Sequence, residues 1–318
     1  MTTERTFRRK FLMAGSALAT MPTLGLMAQD KKVFMGWTYD QLNDQLDQGP
    51  YLPSASELNQ FVKDFSANSA KVRAQYPPKT FAYGSSVNEK LDVFAPTNAK
   101  DLPVMIFIHG GEWRVGSKDA YSSLALPFIQ SNAICVVLGF DNIPPNTISG
   151  LVGQVRRAVT WIYKNAKQIG ADPNHIYVSG HSSGGHLTSM MLVTEWQKQG
   201  LPANLFKGGV VLSGWTNLYP DSVSIRQKYL KLTPNDIKEF SPVDYAQNVS
   251  CPVIVAYGAS ESPYMQLQSE IWAKKLRSHS RLAGSYRVAN HNHYQMPLLF
   301  TNANNQIIKA TLAMMDLV

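Results

Sequence analysis

Residues 176–186 read Ile-Tyr-Val-Ser-Gly-His-Ser-Ser-Gly-Gly-His. A short apolar run ends in glycine, and glycine recurs four residues later. The spacing is G-x-S-x-G with Ser182 at its centre, and it constrains the chain because it suits only a sharp strand-to-helix turn. The glycines two before and two after leave room for a backbone that doubles back. The serine oxygen then stands clear of the sheet, at the N-terminus of a helix whose partial positive charge favours an anion. The strand must be buried and the next element must be a helix folded back over it.

The rest of the chain repeats that pairing. Val104–Ile108, Ala133–Phe140, Ile176–Ser179, Val210–Ser213, Val253–Tyr257 and Ser285–Val288 read as strands, several of them wholly apolar, as strands covered on both faces are. Ile148–Ile169 reads as a helix with Val152, Val155, Val159 and Ile162 at helical spacing. Gly184–Lys198, Tyr264–Ser278 and Gln306–Leu317 read as further helices, and Ser54 or Ser56 caps another over 54–75. Thr80–Tyr83 and Lys90–Phe94 read as a leading pair of strands. Strands separated by helices predict a mostly parallel central sheet with helices on both faces. The Pro-rich stretch 215–250 breaks the rhythm and reads as a small cap, an insertion over the active site. One domain is expected over 29–318, opened by a helical segment over 29–80.

Charged residues make up only 16% of the 318, which excludes a disordered chain, and the net charge is +8. Part of that charge belongs to residues 1–28, where Arg5, Arg8, Arg9 and Lys10 precede an apolar stretch from Phe11 to Ala28. This is the layout of a secretory signal, and Arg8-Arg9 resembles the bacterial twin-arginine type. Pro22 and weak hydrophobicity argue against a permanent span, which needs about 20 strongly apolar residues. A periplasmic or secreted enzyme is expected. Removing residues 1–28 lowers the charge to +5, and no basic stripe interleaved with aromatics suggests nucleic acid. Cys135 and Cys251 lie in or beside apolar runs that are not neighbours in such a sheet, so they read as free, buried thiols.

Around Ser182 three further loops carry chemistry. Ile108-His109-Gly110-Gly111-Glu112-Trp113 ends an earlier strand, and an HGG-type loop supplies backbone N–H groups to an oxyanion hole. The expected donors are Gly111, Glu112 and Ser183, with His109 organising the loop. Trp113 lines the pocket or simply packs; Trp215 and Tyr264 are further pocket candidates. The base falls in Ala289-Asn290-His291-Asn292-His293-Tyr294, where spacing does not choose between His291 and His293. The acid falls after the penultimate strand, where Glu261 is the carboxylate of the loop; Asp221, Asp236 and Asp244 are rivals within the insertion. Nucleophile, acid and base then follow one another along the chain in the order of a serine hydrolase.

These segments resemble an α/β-hydrolase of the kynurenine formamidase (arylformamidase) type, close to hormone-sensitive-lipase-like esterases. The resemblance runs from about Tyr83 to Tyr294. It includes His109-Gly110-Gly111-Glu112-Trp113, Gln154-Val155-Arg156-Arg157-Ala158, Gly170-Ala171-Asp172-Pro173, Gly180-His181-Ser182-Ser183-Gly184-Gly185-His186-Leu187, Leu212-Ser213-Gly214 and Gly258-Ala259-Ser260-Glu261-Ser262-Pro263. The family's N-H-aromatic base motif matches Asn292-His293-Tyr294 and so implies His293 as the base. Ser183, Asn217 and Tyr264-Met265 depart from the usual family residues, so the resemblance carries over the reaction type and not the substrate.

The expected activity is a serine hydrolase that cleaves a small or aromatic carboxylic ester through Ser182, His293 and Glu261, with no metal or organic cofactor. An amidase acting on an N-formyl or N-acyl arylamine is the alternative, and a non-catalytic binding protein on the same fold is the lesser one.

Overall fold

The computed structural model describes residues 31–52 and 54–318; the leader expected over 1–28 lies outside them. Among the described residues, ten strands and ten α-helices follow one another. A hairpin of β1 (Lys32–Phe34) and β2 (Trp37–Thr38) leads into α1 (Tyr39–Leu46) and α2 (Ala55–Gln75). Then come β3 (Lys79–Ala82), β4 (Lys90–Phe94), β5 (Leu102–Ile108), α3 (Leu126–Gln130), β6 (Ile134–Leu138) and α4 (Ile148–Lys164). After these lie β7 (Ala171–His181), α5 (Ser183–Val193) and β8 (Phe206–Leu212). The insertion holds α6 (Tyr219–Ser222), α7 (Gln227–Leu230) and α8 (Pro234–Glu239). The chain closes through β9 (Val253–Gly258), α9 (Pro263–Ser278), β10 (Leu282–Val288) and α10 (Gln306–Met314).

Eight strands form one sheet in the order β10-β9-β8-β7-β5-β6-β4-β3. From β6 through β10 every neighbouring pair is parallel, while β4 runs antiparallel to both β6 and β3. This is the α/β-hydrolase fold. Alternate side chains of each strand go to opposite faces, and the two faces have separate cores. Val104, Ile106 and Ile108 of β5 join Val136, Val178, Val211 and Val255 on the face that carries α4, α5 and α9. Met105 and Phe107 join Val137, Tyr177, Val210 and Ile254 beneath α2 and α10. The wholly apolar runs are therefore two interleaved alternations.

Most elements lie where the sequence puts them, with shifted ends. The expected 148–169 helix stops at Lys164; a separate 3-10 turn over Ala166–Ile169 follows and closes on Gly170 at φ +79°. The helix after Ser182 starts one residue early, at Ser183, and ends at Val193. Strand β7 is longer than its apolar run because Ala171 already pairs with Leu102. The segment 29–80 is more than helical, since it also holds the β1–β2 hairpin. Thr38 and Gln41 form a capping box that starts α1, and Ser54 caps α2. Cys135 and Cys251 are both free and buried. Strands β5, β7 and β8 separate β6, which holds Cys135, from β9, which follows Cys251.

Helix α2 is fastened to the sheet edge through Asp92. This fully buried carboxylate takes Arg73 at 2.5 Å and Lys118 at 2.9 Å, and accepts from Thr80 at 2.6 Å. Burial works to raise its pKa, but the three donors and the lysine charge prevail and hold it below the usual carboxylate range. Its stabilising effect is therefore present at neutral pH and lost as pH falls through and below that range. Asp92→Asn should cost about 3 kcal/mol of unfolding free energy at pH 7, read by urea titration. The difference from wild type should shrink at acidic pH.

Candidate active site

Ser182 has φ +58° and ψ −125°, a conformation L-residues rarely hold. Three glycines explain why it persists. A Cβ on Gly184 would lie 2.1 Å from the carbonyl oxygen of Ile108, and one on Gly180 would lie 2.4 Å from that of Gly184. A Cβ on Gly185 would stand 2.7 Å from the Cα of Gly214. Strands β5, β7 and β8 and helix α5 thus approach backbone to backbone, and the chain between them has only this tight turn.

The turn presents the Ser182 hydroxyl to His293, whose Nε2 lies 2.8 Å from Oγ. Asn292 caps the 3-10 turn that carries His293, accepting from the N–H groups of Tyr294 and Gln295. Glu261 Oε1 stands 3.5 Å from His293 Nδ1, close enough for charge attraction and longer than a hydrogen bond. Contacts of this kind tighten when the reacting group is bound. The Ser213 hydroxyl donates to the same Oε1. All three groups are nearly buried. Of the two candidate histidines, His293 meets the serine. His291 turns its Nδ1 to the carbonyl of Ala289, and its own carbonyl accepts from Ser260 N–H, joining the base loop to the acid loop. The rivals Asp236 and Asp244 lie on the insertion, in α8 and the following 3-10 turn. Asp221 is paired with Arg226.

His181, whose place beside Ser182 in the motif reads as scaffold, joins the site through a partner the sequence does not indicate. Its Nε2–H donates to the carbonyl of His293 at 2.9 Å, and the two rings lie 4.6 Å apart. Burial, and secondarily the neighbouring His293, push its pKa well down. A neutral His181 therefore supports the base loop without adding a like charge. Ser213 belongs to a family motif, and its part in holding the acid emerges only from the fold. Neither role leaves a local signal, because each depends on a partner distant in sequence.

The HGG loop passes directly over the turn. A Cβ on Gly110 would lie 3.0 Å from that of Ser182. Gly111, Glu112 and Trp113 have φ of +124°, +55° and +59°, so the loop makes three successive left-handed steps. Among the described residues, no loop or turn carbonyl accepts from Gly111 or Glu112 N–H. Ser183 opens α5, where the first N–H groups have no partner within the helix. His109 is buried, donates to Gly110 O at 2.8 Å and stacks on Phe140 at 4.2 Å; burial pushes its pKa down to about 4.

A cavity of about 300 Å³ opens over Ser182. Leu46, Phe61, Val62, Phe65, Val115 and Tyr121 make much of its apolar wall, and Trp215, Arg226 and Tyr294 face them. Of the three aromatics expected there, Trp215 is in place and two are not. Trp113 is buried, and its Nε1 donates to Nδ1 of His186, whose Nε2 in turn meets Phe240 O. It braces the loop against the insertion. Tyr264 lies under the β1–β2 hairpin, edge-on to Phe34 and Trp37 at 5.6 Å from each. Proximity in the chain suggests both for the pocket, but neither lines it. The walls that α1 and α2 lend to the pocket likewise have no sign in the sequence. Gln48, which follows α1, exchanges hydrogen bonds with Ser262 beside the acid, a contact across more than two hundred residues.

A BD-FAE family model matches residues 91–211, and the prolyl oligopeptidase family model matches residues 154–316. The chain is 31% identical over 238 residues to kynurenine formamidase of Danio rerio, spanning 73% of this chain and 80% of that protein. It is 27% identical over 206 residues to isoprenylcysteine alpha-carbonyl methylesterase of Arabidopsis thaliana, spanning 58% and 48%. Among solved structures, the metagenomic carboxylesterase EstE1 superposes with a TM-score of 0.63 at 19% identity, covering 81% of this chain and 97% of that one. A Pyrobaculum calidifontis esterase gives 0.67 at 17%, covering 81% and 91%. At these identities the structural likeness speaks for the fold.

The glycine contacts lead to a test of the turn. Gly184→Ala has no space to relax into, since its Cβ meets the backbone of β5. The variant should lose several kcal/mol of stability and, where it still folds, label Ser182 with a fluorophosphonate far more slowly than wild type.

Proposed function

The chain belongs to the α/β-hydrolase family and is a serine hydrolase, and we propose that it cleaves carboxylic esters with a small or aromatic apolar group through an acyl-enzyme on Ser182. The observation that carries this reading is the 2.8 Å contact between Ser182 Oγ and His293 Nε2 at the floor of a largely apolar cavity. His293 takes the serine proton as Oγ attacks the ester carbonyl. Glu261 stabilises the imidazolium so formed. The N–H groups of Gly111, Glu112 and Ser183 receive the negative charge that develops on the carbonyl oxygen. The proton passes to the leaving alcohol, and water repeats the sequence to free the acid. The cavity is at the small end of ligand pockets, which run from roughly 300 to 1,000 Å³. Arg226 and Glu112 in its wall face each other, and Arg226 also pairs with Asp221, so the space suits a neutral substrate.

A second reading is an amidase acting on an N-formyl arylamine. It is favoured by the 31% identity to a protein named kynurenine formamidase. Ser182→Ala should lower turnover by at least ~10⁴-fold. A panel of short acyl esters, aryl esters and N-formyl arylamines separates the two readings: faster kcat/KM on esters upholds the first, and preference for the formyl amides replaces it with the second.

Export belongs to the same proposal, supported by Arg8-Arg9 ahead of the apolar stretch. Changing both arginines to lysine should leave esterase activity in the cytoplasmic fraction of a bacterial host, while the unaltered chain delivers it to the periplasm.

A further inference from the structure

Arg226 is the most elaborately held side chain of the pocket wall that the reaction does not use. It lies between α6 and α7 in the insertion, with 6% of its side chain exposed. Nη1 donates to Asp221 Oδ1 at 3.0 Å. Nη2 donates to the carbonyl of Leu46 at 2.8 Å and to Glu112 Oε1 at 3.2 Å. The guanidinium plane sits over the Trp215 ring, 4.5 Å from its centre. One planar fork thus joins the end of α1, the insertion, the Trp215 side of the pocket wall and the HGG loop.

Its partner Glu112 has an unusual demand on it. It is a non-glycine residue at φ +55°, between Gly111 and Trp113, which also have positive φ. Such a backbone persists only where its surroundings hold it. Both carboxylate oxygens of Glu112 are held, Oε1 by Arg226 and Oε2 by Arg114 at 3.2 Å. Arg226 is poorly placed to receive an anionic substrate, because both terminal nitrogens are engaged and two carboxylates already face it. Asp221 is fully buried and has no other polar group on Oδ2, so it needs the arginine in return.

We infer that Arg226 is a positioning residue of the oxyanion hole: by gripping the Glu112 side chain it keeps the Glu112 N–H turned toward the reacting carbonyl. The inference rests on the serine-hydrolase reading and on Glu112 as one of the donors. It assigns the insertion and the end of α1 a part in transition-state stabilisation, through one side chain.

The test compares wild type, Arg226→Met, Arg226→Lys, Glu112→Ala and the Arg226→Met/Glu112→Ala double variant. Each is assayed for kcat and KM on p-nitrophenyl butyrate and for Ki of a trifluoromethyl ketone, whose adduct with Ser182 places an oxyanion in the hole. Arg226→Met should lower kcat by about tenfold or more, part of the ~10²–10³ that a whole donor contributes, with KM nearly unchanged. Ki should weaken by the same factor as kcat/KM. Arg226→Lys should recover part of the loss. The double variant should be no worse than Arg226→Met, because the two changes cut the same link. Full kcat with a lowered melting temperature would reduce Arg226 to a structural pair and overturn the inference. So would a raised KM with Ki unchanged, or additive losses in the double variant. Should Arg226→Met not fold, Glu112→Ala decides alone, since its side chain is 41% exposed; unchanged kcat and Ki would refute the inference. Failure of the underlying reading looks different: Ser182→Ala would stay active and wild type would resist fluorophosphonate labelling.

Discussion

The close approach of backbones at Gly180, Gly184 and Gly185 governs the placement of everything else at the site. Carbonyl oxygens from β5 and α5 and the Cα of Gly214 occupy the volume that side chains would take. The core on either side of the sheet fixes β5, β7 and β8, so the chain has to leave β7 through a conformation that costs on the order of 1–3 kcal/mol. That local cost is tolerated because two large hydrophobic cores press the strands and α5 together around it. The serine is held rigidly by packing of the whole domain, and its nearest neighbours only refine its direction.

Around this fixed point, loops and helix ends from separate parts of the chain are tied together mainly through backbone carbonyls. His181 donates to His293 O, and Ser260 N–H donates to His291 O. His186 meets Phe240 O, and Arg226 meets Leu46 O. A carbonyl cannot rotate away as a side chain can, so such ties set the spacing of loops more firmly than contacts between two flexible chains. Burial keeps the histidines that act as struts neutral: it pushes the pKa of His109 and His186 down to about 4 and that of His181 well below its ordinary value. Their hydrogen-bond geometry therefore does not change across the pH range in which a catalytic imidazole works.

Much of the site is legible in the amino-acid sequence because its chemistry is written in short segments. The serine, the HGG loop and Glu261 each sit at the end of a strand whose apolar run is unmistakable, and order along the chain assigns them. His293 needs a family motif to separate it from His291, since both lie in one loop and only a side-chain direction distinguishes them. Direction also explains why Tyr264 reads as a pocket residue and is not, and why Trp113, which reads equally as lining or packing, packs: a residue beside a functional one has two sides to turn to. The pocket wall from α1 and α2 is illegible for a different reason. Phe61, Val62 and Phe65 belong to a stretch that reads only as a capped helix, and nothing local says that it covers a catalytic serine more than a hundred residues away. The same holds for Gln48 with Ser262 and for Arg226 with Glu112.

The two cysteines bear on where such a molecule can work. Both thiols lie inside the fold, and burial raises their pKa, that of Cys251 to about 12, so almost none of either is present as the reactive thiolate. Neither is spent on a covalent cross-link. The fold thus needs no disulfide to mature, and neither thiol gives reductants or oxidants a ready handle on the folded form.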